Sequence, residues 1–195
     1  MKKGICSIAM LMMVTVLMFG CASTPTLTPA QSELENAPDW VKDGGSSIEG
    51  GSASTGNAKI GAAGMNFART EALAAARDEL ARQISIKVKN MTKSFTQSIG
   101  NGDAETVDRV STQVSKQVAN QTLQGSKQRS TWISPLNNLY VLVVIDENSL
   151  KNAVKNSVQT SFKNEQALWQ EFLAKKAHEE LNKEVEKEFG DHKNQ

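Results

Sequence analysis

The side chains with the widest chemical range in this sequence are two cysteines, Cys6 and Cys21, and two histidines, His178 and His192. Two cysteines are too few for a metal site built on thiolates, and both stand near the amino terminus. The histidines lie fourteen residues apart in a charged carboxy-terminal segment, with no carboxylate cluster at metal-ligand spacing. His178 beside Glu179 reads as a solvated helix residue. Carboxylates do occur in adjacent pairs, Asp78-Glu79, Asp146-Glu147 and Glu179-Glu180. Neighbouring residues on a helix point in different directions, so these pairs do not by themselves form an acid and a base facing one substrate. No serine sits in a GxSxG elbow. The Gly/Ser-rich stretch from Ser46 to Gly56 lacks both GxGxxG and the Lys-Ser/Thr pair of a phosphate loop, so it reads as a loop or a glycine-rich edge strand. Trp40, Trp132 and Trp169 are too dispersed to read as a sugar-stacking platform. No catalytic, metal or cofactor-binding residue is expected, and the chain is not expected to be an enzyme.

The remaining chemistry is that of Cys21. Lys2 and Lys3 precede an apolar run from Ile5 to Phe19, shorter than the roughly 20 residues of a membrane span and suited to the core of a secretory leader. The run ends in Leu17-Met18-Phe19-Gly20-Cys21 and is followed by Ala22-Ser23-Thr24-Pro25. This resembles a lipobox, with Gly20 and Cys21 in place and Met18 and Phe19 where Leu and a small residue are usual. Cleavage before Cys21 would leave a mature chain with one cysteine, and lipidation explains an odd cysteine in an exported protein. At ~0.8 kcal/mol per buried methylene, two or three acyl chains on Cys21 hold a protein at a membrane almost permanently. Residues 1–20 are therefore expected to be a lipoprotein signal peptide, and residues 21–37, rich in Ser, Thr, Pro and Ala, a lipidated tether reaching ~56 Å at full stretch. Ala22, in place of the aspartate of the usual inner-membrane retention signal, points to the outer membrane.

The 195 residues carry 22 Lys+Arg against 21 Asp+Glu, and losing Lys2 and Lys3 moves the net charge from +1 to about −1. Such a balance lacks the cationic surplus of a sequence-independent nucleic-acid binder. Apolar residues at helical spacing, Phe67, Leu73, Ala76, Leu80, Ile84, Val88, Met91 and Phe95, predict a helix from about Ala62 to Ile99, ~50 Å long. Gly100-Asn101-Gly102 ends it, and Asp103 is placed to cap a second helix with Val107, Val110, Val114 and Val118 on one face. Thr122 to Ile133 reads as a half-exposed strand, Ser134 to Asn138 as a turn, and Leu139 to Ile145 as a buried strand antiparallel to it. Asp146 can cap a last helical stretch, 147 to about 189, broken near Thr160 and carrying Trp169, Leu173, Ala177, Leu181, Val185 and Phe189 at intervals of four. The predicted fold is α+β, with long amphipathic helices on a small antiparallel sheet of about three strands. The domain is expected over residues 38–160 and a charged amphipathic tail over 161–195. Left in water the tail's stripe would expose Trp169, Leu173 and Phe189, which implies a partner surface, another copy of the chain included.

Pro38-Asp39-Trp40-Val41, the Ile48-to-Ala53 stretch, the segment Phe67 to Arg82, and Trp132-Ile133 with Tyr140 to Asp146 occur in an order similar to that of the LPP-twenty lipoproteins, the twenty-kilodalton surface-antigen family. The resemblance implies a small α/β domain on an outer-membrane lipoprotein without known enzymatic activity. Relatives include flagellar-associated lipoproteins that assemble around the motor. Only Cys21 carries over, as the lipidation site. The expected function is a structural or assembly role in the cell envelope, with motility as one branch. Its partners would be the membrane through Cys21, further copies of the chain or other envelope proteins, and no nucleic acid. The alternative is a periplasmic binding module for peptidoglycan or a small apolar ligand.

Overall fold

A computed structural model describes residues 28–100 and 103–190. The expected signal peptide, Cys21, the first part of the expected tether and His192 lie outside the described residues. The chain divides into two units, 1–32 and 33–195. In the first, helix α1 (Pro29–Leu34) begins, and it runs two residues into the second. The second unit continues with α2 (Asp39–Lys42), β1 (Gly51–Lys59), α3 (Gly64–Ile99), α4 (Ala104–Gly125), β2 (Lys127–Ile133), β3 (Asn138–Asp146), α5 (Glu147–Lys163), α6 (Gln166–Ala174) and α7 (His178–Phe189).

The long helix forms where it was expected. Gly100 stops it by taking the left-handed conformation, φ 86°, that a residue with a Cβ resists. Its buried face starts as a seam of small residues, Ala68, Ala72 and Ala76, and becomes bulky only from Leu80 through Ile84, Val88, Met91 and Phe95. Phe67, placed on this face by its spacing, instead stands in solvent next to the seam. Helix α4 folds back along α3, with Asp103 accepting from the Thr106 amide at 2.9 Å as its cap and the four valines buried. It reaches Gly125, beyond the predicted limit. Thr122, expected to open the strand, satisfies its hydroxyl within the helix by donating to the Val118 carbonyl at 2.9 Å.

The three strands form one antiparallel sheet in the order β1-β3-β2. Central β3 is the most apolar strand because it is covered on both sides. Leu139, Val141, Val143 and Ile145 enter the main core, while Leu142 points to the other face and is buried as well. Strand β1 lies at an edge, as its glycines suggested. Gly56 is opposite Val141 and meets α3 at the alanine seam, so close that a Cβ there would lie 2.3 Å from the Ala72 carbonyl oxygen.

The domain differs from the expected one at both ends. Glu33 and Ala37, assigned to the tether, are buried, because the chain from Glu33 to Ser47 lies across the outer face of the sheet. Residues 161–190 are not a separate tail. Asp146 caps α5 by accepting from the Ser149 amide, and α5 runs past Thr160 to Lys163. The helical stretch breaks at Asn164–Glu165 and again at Lys175–Lys176, where Lys176 has φ 48°. The second break shifts the phase of the stripe. Leu168 and Phe172 turn inward on α6, Leu173 faces out, and Ala177, Leu181, Val185 and Phe189 enter the core on α7. The apolar stripe that seemed to require a partner is thus covered by the chain's own α3 and α5.

Candidate functional site

Among the described residues, most groups that could have done chemistry have a structural role. Of the carboxylate pairs, Glu79 binds Arg82 and Gln83, Asp146 caps α5, and Glu147 pairs with Lys151. Glu180 faces Lys183 at 3.8 Å. The imidazole of His178 meets the edge of Phe172, ring centres 4.5 Å apart. Among the described residues no three His, Cys, Asp or Glu side chains converge in a way that could hold a metal ion. The tryptophans remain apart. Trp132 lies against Tyr140 on the sheet, Trp169 stacks on Phe172 at 5.3 Å, and Trp40 uses its carbonyl to accept from the Thr55 hydroxyl at 2.9 Å.

Two arrangements escaped the sequence reading. The first fixes the start of the domain. On the outer face of the sheet the Glu33 carboxylate accepts from Asn138 Nδ2 at 2.7 Å and from the Tyr140 hydroxyl at 3.3 Å. Burial pushes this carboxyl up, but hydrogen bonds from Ser134, Asn138, Tyr140 and the Leu136 backbone outweigh it and leave it below the ordinary carboxylate range. Burial, followed by the Glu33 charge, pushes the Tyr140 phenol up. From this latch the chain continues over the sheet, with Val41 buried on α2 and Gly45 packed against Leu142 and Ala53. The Asp43 side chain caps the following turn by accepting from the Gly45 amide at 2.8 Å and the Ser47 amide at 3.1 Å.

The second arrangement joins the carboxy-terminal helices to the rest. Phe95 of α3, Phe162 of α5 and Phe172 of α6 pack as a triangle, with ring centres 5.8 to 6.2 Å apart. Beside α7 the buried Lys151 amine pairs with Glu147 on its own helix and with Glu186 at 2.7 Å. Burial lowers its affinity for a proton, but the two carboxylates more than restore it. The i, i+4 spacing of Leu168 and Phe172 was visible in the sequence, but the longer every-fourth-residue series through Trp169 hid it.

The depressions on the surface are open. One of about 430 Å³ runs along α4 between the stems of Arg109, Gln113, Lys116 and Asn120, and another of about 390 Å³ lies between α4 and α5 near Gln121 and Thr160. Neither has the convergent polar groups in an apolar enclosure that mark a small-molecule site. Among the described residues no helix is long and apolar enough to cross a membrane.

Residues 38–146 match the sequence profile of the family described as LPP20 lipoprotein, a segment that begins just before α2 and ends with β3. No curated protein and no solved structure matches the chain.

Proposed function

The chain belongs to the LPP20 lipoprotein family, and from that premise we propose that it is a non-catalytic outer-membrane lipoprotein, anchored through Cys21, with a structural or assembly role in the cell envelope. One observation carries the anchor: Cys21 closes the apolar leader and is the only cysteine downstream of it. The domain suits a structural part. Several of its ionisable groups are engaged in caps, ion pairs and the Glu33 latch, and its depressions are open. The apolar stripe of the last helices is spent inside the fold, so any assembly would use a different surface.

Cys21→Ala, followed by metabolic lipid labelling and membrane fractionation, tests the anchor. The variant is expected to lose both the label and the membrane fraction, whereas a wild-type chain without label would sink the reading. Deleting the gene and scoring swimming and motor ultrastructure tests the motility branch, which normal motility with intact motors would remove.

A further inference from the structure

Seven large hydrophobic side chains are exposed among the described residues, and four of them gather at one end of the domain. Ile133 (46% exposed) ends β2, and Leu136 (42%) tips the turn into β3. Phe67 (54%) stands on the first turn of α3, and Leu34 (37%) follows the Glu33 latch. Hydrogen bonds tie these pieces together. The Ile60 amide after β1 donates to the Asn137 carbonyl at 3.0 Å, and Asn137 Nδ2 donates back to the Ile60 carbonyl at 2.9 Å. Lys59 Nζ donates to the Leu136 carbonyl, and Glu33 holds Asn138 immediately beyond the turn. Half-buried Ile60 and Met65 continue this apolar end into the core.

We propose that this end is a membrane-facing surface, seated on the lipid that holds Cys21. The inference rests on the lipid-anchor reading above. It commits to lipid because of where the chain from Cys21 joins the domain. The eight peptide links from Cys21 to Pro29 span at most ~28 Å, and the helical residues from Pro29 to Glu33 add about 6 Å. The latch at Glu33 therefore stays within ~34 Å of the anchored sulfur. Helix α3, starting at this same end, is ~54 Å long at 1.5 Å per residue over its 36 residues. The tether is thus too short for the domain to stand inverted on the Ile99 end of α3. Upright, it brings Leu34, Phe67, Ile133 and Leu136 to the surface first. Apolar side chains held there gain from entering the headgroup–acyl boundary, which removes them from water.

The test uses the lipidated full-length mature chain in vesicles of phosphatidylethanolamine and phosphatidylglycerol. A single cysteine is introduced as Phe67→Cys or Leu136→Cys, with Leu123→Cys and Leu173→Cys as exposed controls elsewhere, and each is labelled with a polarity-sensitive fluorophore. Mass spectrometry first establishes the acyl chains on Cys21. Lipids brominated on the acyl chain are expected to quench most of the emission at 67 and 136, with a shift to the blue, and to leave 123 and 173 unchanged. With the acyl chains present, equal quenching at all four positions, or none at 67 and 136, overturns the inference and leaves the anchor standing. Labels at 67 and 136 that stay unquenched, with the same variants left unlabelled forming disulfide crosslinks between chains on oxidation, overturn it in favour of a second copy. A mature chain without acyl mass removes the anchor reading, and this inference with it.

Discussion

Adding one methyl group at Gly56 should separate the sheet from its long helix. A Cβ at this position would lie 2.3 Å from the Ala72 carbonyl oxygen and 2.4 Å from the Ala76 amide nitrogen, where ordinary contact begins at 3.4 Å. The shortfall is about 1.1 Å, and both atoms belong to the backbone of α3, so no side chain can rotate out of the way. The helix must retreat, and Ala68, Ala72 and Ala76 are too small to fill the gap that opens along the seam. Overpacking of this kind costs ~1–3 kcal/mol. Alanine returns ~0.4–1 kcal/mol by restricting the unfolded chain, which leaves Gly56→Ala destabilised by roughly 1.3 kcal/mol. In a domain of this size that lowers the melting temperature by about 3–5 °C. Gly61→Ala is the matched control, since its Cβ would meet nothing within 4 Å and its φ is not left-handed. It should be neutral or slightly stabilising. Urea unfolding of both variants, followed by circular dichroism, reads the difference. A Gly56→Ala midpoint equal to that of Gly61→Ala would refute the close approach and the role given to the alanine seam.

The latch should respond to acid. Glu33 has a depressed carboxyl pKa, so its contribution is present above the unfolded value of about 4.5 and is lost as pH falls through the lower folded value. Amide exchange over residues 34–47, corrected for its intrinsic pH dependence, should accelerate relative to the core on acidification, and Glu33→Gln should show the faster exchange already at neutral pH. Unchanged protection in both cases would mean that the strap is held without the carboxylate. For the ion pairs of α5, Lys151→Ala should cost about 1–3 kcal/mol in urea unfolding, less than a fully buried pair because Glu186 is largely in water. Lys151→Met, which keeps the packed stem, should recover part of that loss. The raised amine pKa keeps the wild-type contribution intact below about 10.5 and removes it as pH climbs through the folded value. Equal stabilities of the two variants would show that the loss comes from removed charge and not from removed packing.

Much of this protein is written in local patterns. Asp103 and Asp146 announce the helices that follow them, because a cap needs only an acceptor within reach of an amide three residues on. Gly100 marks the end of α3 through its own left-handed conformation. The apolar run at β3 identifies a strand buried on both faces. Family membership was legible in the order of such pieces. Other features depend on contacts between residues far apart in the chain. Glu33 looked like tether until Asn138 and Tyr140, more than a hundred residues away, supplied its hydrogen bonds. The last helices looked like a tail that lacked a partner, because the break at Lys176 that re-phases their apolar faces gains its stability from packing on α3 and α5. The gathering of Leu34, Phe67, Ile133 and Leu136 at one end is likewise a product of sheet register. The sequence by itself determined most of the helices and the strands, since each is set by groups a few residues apart. Only the tertiary structure decided where the domain begins and what covers its apolar faces, since those outcomes are set by burial between residues far apart in the chain.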